Sequence, residues 1–234
     1  MFGGWSIGGL LEACAAGIRG LADSLDLEQS VRGVDAMREI DLHVPLAQGL
    51  RDEGFAVYTE FPYPSIANPD PLPRDRERCD LVIARPGSPP PLDPVEQARE
   101  RLREAESLFG ASLDPQEHTP SEDLFWLEVK CVGQFEIVEG AARASPAYAS
   151  SLVAAGADLK KIAQDPRIRF GGLLVVLFAQ DASIAAHDLD AALHRWLDRG
   201  YPLRTGERCG FPISDRIGNA WCSLCLTPIP VRLD

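Results

Sequence analysis

Apolar positions along this chain repeat with two periods, and the switches between them divide it into elements. Residues 6–25 keep a helical spacing, weakened by Gly8, Gly9, Gly17 and Gly20. A second helix is predicted from Gln29 or Ser30 to Asp52. Its apolar stripe is Val34, Met37, Ile40, Leu42, Leu46 and Leu50, with Pro45 set to kink or divide it and Gly54 to end it. The period then shortens to two. Phe55–Phe61 reads as a strand, followed by a Pro-rich loop from Pro62 to Pro73 and a short strand over Cys79–Ala84. Pro89, Pro90 and Pro91 form a stiff lead into a charged, solvated helix from about Pro94 to Phe109. Leu124–Val132 is a strand, 133–146 an irregular stretch or short hairpin, and Tyr148–Gln164 a helix. Leu173–Ala179 is continuously apolar, as in a strand buried on both faces. An amphipathic helix over His187–Arg199 and a strand over about 220–227 complete the chain, which has no internal repeat.

The order is that of a mixed α/β protein. A single domain over residues 1–234 is expected, with a core at about 30–180, an insertion at about 86–123 and a C-terminal helix and strand at about 187–227. The 45% hydrophobic and 25% charged content suits a soluble globular chain. No run is long enough to span a membrane, and the N-terminus lacks a basic secretory start, so a cytoplasmic location is expected. The net charge of −12 argues against a large, indiscriminate nucleic-acid surface. Much of that acidity belongs to the insertion, where the acids of residues 93–123 are opposed only by Arg99, Arg101 and Arg103. Cys222 and Cys225 have the spacing of half a zinc site, with Cys209 as a third candidate. On a strand, however, residues three apart face opposite ways.

One tripeptide needs a chemical reason. Glu128 and Lys130 share a face of an otherwise apolar strand, Leu124-Phe-Trp-Leu-Glu-Val-Lys-Cys-Val132. Charges in such surroundings are costly unless paired or put to use. Asp80 opens the preceding strand, an expected antiparallel neighbour. Two facing carboxylates make the hard oxygen site that Mg²⁺ or Mn²⁺ takes. Lys130 beside them would orient a water or offset charge building on a phosphate.

The helix bearing Glu39, then Asp80, then Glu128-x-Lys130 resembles the PD-(D/E)XK nuclease superfamily, whose restriction-endonuclease-like core runs α-β-β-β-α-β. Cys79 stands where that motif has proline. The resemblance covers about 150 residues and implies a metal-dependent nuclease acting on nucleic acid, with DNA the expected substrate and Mg²⁺ or Mn²⁺ as cofactor. Asp80, Glu128 and Glu39 would hold the metal, with Asp41 and His43 competing for the place of Glu39. Lys130 would complete the catalytic set, and Lys160 and Lys161 in the following helix would bind substrate. Glu60 is a candidate supporting residue, Gln134 a candidate substrate contact, and Arg167 and Arg169 candidate phosphate contacts. A partner protein or a second copy would supply DNA affinity to so acidic a chain. The rival reading is a catalytically silent module of the same fold, used in protein interaction or assembly.

Overall fold

The computed structural model describes residues 3–65, 77–96, 99 and 117–231. Most of the predicted 94–109 helix lies outside them. A six-stranded mixed sheet forms the centre. Its strands are β1 (Ala56–Pro62), β2 (Arg78–Ala84), β3 (Phe125–Gly133), β6 (Phe170–Ala179), β7 (Glu207–Pro212) and β8 (Trp221–Pro228). Across the sheet they run β1-β2-β3-β6-β8-β7, with β3 and β6 parallel and the other neighbours antiparallel. Between β3 and β6, β4 (Phe135–Val138) and β5 (Ala141–Ala144) form a separate hairpin, resolving a stretch for which the sequence left two options. The order of elements expected for residues 30–180 is present, and β2 and β3 pair directly across the insertion.

Helices cover both faces, so burial drives the layering. On one face α1 (Ile7–Leu27) and α2 (Glu39–Asp52) pack with Leu81, Ile83, Leu127, Val129 and Leu174. On the other, α3 (Tyr148–Ala155), α4 (Ala157–Gln164) and α5 (Ala182–Asp198) pack with Val82, Trp126, Val132, Val175 and Leu177. Gly17 and Gly49 are the contact of the first layer. A Cβ on Gly17 would stand 1.9 Å from the Pro45 carbonyl oxygen, and one on Gly49 2.0 Å from that of Ala13. Their cost to helix propensity is offset by the close crossing they allow.

Five differences separate the structure from the sequence pattern. The second helix begins at Glu39, because 30–38 is held as loop and a 3-10 turn over Val34–Ala36. Asp35 accepts from the Asn219 amide at 2.9 Å, which fixes that turn. Pro45 lies within α2 without dividing it. The predicted 148–164 helix breaks at Gly156, where the Trp196 indole N–H donates to the Val153 carbonyl at 3.0 Å. That carbonyl would otherwise accept from Ala157. Strand β7, with its charged start and Gly210, carries too little alternation to be read beforehand. Finally, α5 starts five residues earlier than its apolar stripe, because Asp181 caps it by accepting from the Ser183 and Ile184 amides.

Candidate metal and catalytic site

The sheet forks between β2 and β3. Their ladder covers only Leu81, Val82 and Ile83 against Leu127, Trp126 and Phe125. Beyond it the strands diverge, and β3 loses its partner on that side. Side chains take over the exposed amides, as buried N–H groups require. The Val129 N–H donates to Asp80 Oδ2 at 2.7 Å, and the Cys131 N–H donates to Glu39 Oε2 at 2.9 Å. Because α2 begins at the mouth of the fork, residues from both helical layers meet there.

His43, one turn into α2, is 4% exposed and reaches Asp80 through the gap. Its Nε2 lies 3.8 Å from Asp80 Oδ1 and its Nδ1 3.5 Å from Glu60 Oε1. Both ring nitrogens are buried without a hydrogen-bond partner. Glu60 is the position opposite Asp80 in a register that pairs Thr59 with Leu81 and Phe61 with Cys79. It leaves the ladder with φ 51°, a left-handed conformation uncommon for a strand glutamate. One ligand atom each from His43, Glu60 and Asp80 lie within 4.8 Å of one another, and no other such group of His, Cys, Asp or Glu occurs among the described residues. Ligands at about 2.1 Å from a first-row ion stand roughly 3–3.5 Å apart, so a modest closing of this trio would seat one. The orphaned imidazole fits that use.

Glu128 is 3% exposed, with the Asp80 charge near enough to help raise its pKa. Its Oε1 accepts from the Tyr63 hydroxyl and from Lys161 Nζ, the latter at 3.1 Å. Lys130 Nζ lies 3.0 Å from Glu39 Oε1 and 3.6 Å from Asp158 Oδ2. Burial weakens the Lys130 charge, but Glu39 and Asp158 more than restore it and hold its pKa above the ordinary lysine value. The carboxylates of Glu39, Glu60, Asp80, Glu128 and Asp158 thus converge with Lys130 and Lys161 as the nearby ammonium groups. The excess of negative charge attracts a cation. Comparison with protein-family models, curated proteins and solved structures finds no match.

The sequence-derived candidates divide in the structure. Asp80, Glu128 and Lys130 come together. Glu39 joins them, but its two oxygens hold Lys130 and the Cys131 amide, and it is His43 rather than Glu39 that stands in the candidate ligand group. Asp41 is outside, paired with Arg38 at 2.8 Å. Glu60 stands in the candidate ligand group rather than behind it. Lys161 enters the site, whereas Lys160 is on the exposed face of α4. Gln134 Oε1 accepts from the Gln180 amide at 2.9 Å, which ties two loops together and leaves the side chain engaged away from the fork. Arg167 donates to the Pro64 carbonyl at 3.2 Å, and Arg169 lies over the Phe170 ring at the far end of β6. Cys222 packs in the α1–α2 core and Cys225 in the opposite one, so the two cannot share an ion. Tyr63 was missed, since a tyrosine among prolines after a strand carries no periodic signal.

Burial, then mutual repulsion, pushes Glu128 above its ordinary value; burial does the same to Asp80. A raised carboxyl stabilises the fold most below its ordinary value, 3.8 for Asp80 and 4.5 for Glu128, and that contribution is lost as pH rises through the raised one. His43 behaves oppositely: burial lowers its pKa, so its contribution is full above 6.5 and lost as pH falls through the lowered value. A cation competes with protons for these same groups. Mn²⁺ is therefore expected to raise the unfolding midpoint more at roughly pH 8 than at roughly pH 5.5, with about 2.7 kcal/mol at a hundred times its Kd. Thermal unfolding with and without Mn²⁺ at both pH values checks this. An equal shift at both would remove these carboxyls and the imidazole from the binding site.

Proposed function

We propose that this protein is a divalent-metal-dependent phosphodiesterase acting on nucleic acid, with DNA as its substrate, on a restriction-endonuclease-like core of the PD-(D/E)XK type. The reading is carried by the fork in the sheet, where His43, with no hydrogen-bond partner on its ring, meets Glu60 and Asp80 beside the strand that bears Glu128 and Lys130. His43, Glu60, Asp80 and Glu128 would hold the cation, and the nitrogen ligand favours Mn²⁺ alongside Mg²⁺. The ion would supply Lewis-acid stabilisation of charge on a phosphoryl oxygen and make a bound water more acidic. Lys130, fixed by Glu39 and Asp158, would orient the attacking water and offset charge on the phosphate. Glu39 acts as the clamp on Lys130 and on the β3 backbone. A cavity of about 400 Å³ opens beside Glu39, lined in part by Arg32, Phe135 and Tyr148, with room for a flanking nucleotide.

The assembly-module reading draws on Ile40 and Val44, apolar and exposed on the outer side of α2 one turn apart. A nuclease assay on single-stranded DNA, duplex DNA and RNA with Mn²⁺ or Mg²⁺ divides the two. Hydrolysis lost in Lys130→Ala supports catalysis here. Absence of hydrolysis by the wild-type chain under all these conditions, or activity surviving Lys130→Ala, would contradict it.

A further inference from the structure

Glu128 is gripped through one of its two oxygens. Tyr63 and Lys161 both donate to Oε1, and among the described residues no donor hydrogen-bonds to Oε2. The grip is built from distant parts of the chain. Tyr63 stacks on Trp126 with ring centroids 5.8 Å apart and an interplanar angle of 20°. Lys161 Nζ lies 4.7 Å from the Tyr63 ring centroid, so one ammonium contacts both the ring and the carboxylate. The segment after Tyr63 is pinned to the end of α4: Ser65 donates to Asp165 through its amide at 3.1 Å and its hydroxyl at 2.7 Å, and Arg167 holds the Pro64 carbonyl. Packing alone gives no reason for the hydroxyl. Phenylalanine would make the same stack and contact the same ammonium without burying a polar group.

We propose that Tyr63 is a positioning residue for Glu128: with Lys161 it saturates Oε1 and so limits Glu128 to a single-oxygen ligand through Oε2. This rests on the reading of the fork as a cation site. Its consequence is selectivity between ions. Ca²⁺ takes six to eight oxygens and favours bidentate carboxylates, whereas smaller ions need fewer ligands held more tightly. A glutamate that cannot close on an ion with both oxygens discriminates against Ca²⁺. Lys161 shares this function, so its contact with Glu128 serves the ligand as well as any phosphate.

The test is the ratio of Ca²⁺ to Mn²⁺ dissociation constants, measured by calorimetry on the full chain. Tyr63→Phe keeps the stack on Trp126 and removes only the hydroxyl, and Lys161→Met removes the other donor. The ratio is expected to fall by about tenfold in Tyr63→Phe, with a fall of the same sign in Lys161→Met. A tyrosine with a merely structural role would weaken both ions alike. An unchanged ratio in a cooperatively folded Tyr63→Phe would overturn the inference and leave the cation site standing. If Tyr63→Phe lost cooperative unfolding, the Lys161→Met ratio would decide by itself. Failure of the wild-type chain to bind Mn²⁺ would overturn the cation site, and the inference with it.

Discussion

Asp80→Asn is expected to lower metal-dependent hydrolysis by about a thousandfold while leaving the fold intact. Asp80 has two separable duties. Oδ2 accepts the Val129 amide left unpaired by the fork, and Oδ1 faces His43. Asparagine retains one carbonyl oxygen, which can keep the bond to Val129, but it withdraws a negative charge from the ligand set. Charge stabilisation by a bound ion is worth several kcal/mol, and about 1.4 kcal/mol is tenfold in rate. The metal-free variant should be at least as stable as the wild type, since burial and crowding of these carboxyls oppose their ionisation. Initial rates on an oligonucleotide, with unfolding midpoints in the presence and absence of Mn²⁺, check both parts. Activity within tenfold of wild type would remove Asp80 from the site.

Trp196→Ala should cost about 3–5 kcal/mol of stability, the range for truncating a fully buried aromatic side chain. Trp196 on α5 is buried against Gly156, where a Cβ would come within 2.5 Å of the indole. It also satisfies the Val153 carbonyl at the α3–α4 break. Truncation opens a cavity and orphans that carbonyl, so losses from packing and hydrogen bonding add. For a chain of this size the midpoint should fall by roughly 10 °C. Because α4 carries Asp158 and Lys161, loosening the break would reduce hydrolysis as well. Trp196→Phe, which keeps most of the volume, should lose only about 1–2 kcal/mol. Urea unfolding with an unchanged slope would attribute the loss to the native state; equal stability of Trp196→Ala and wild type would contradict the role given to this contact.

What could be read from the residues followed from how locally each signal is encoded. Glu128 and Lys130 stood out because a strand's period of two makes a charge in an apolar run visible, and Asp80 followed from strand order. The buried β6 was legible from continuous apolarity. Features dependent on contacts distant in sequence were not. Gly17 and Gly49 look like helix weaknesses until α1 and α2 cross. The break at Gly156 depends on an indole forty residues away. Glu60 becomes a candidate ligand only through its backbone conformation, and His43 only because the fork lets α2 reach β2. Tyr63 depends on the same three-dimensional convergence.

A divalent cation held in the fork would be seen by anomalous scattering from a Mn²⁺-soaked crystal. A single strong peak roughly 2.0–2.6 Å from oxygen or nitrogen atoms of His43, Glu60, Asp80 and Glu128 is the expected result. Absence of a peak at saturating Mn²⁺, or a peak held by other residues, would rule out a cation site in the fork.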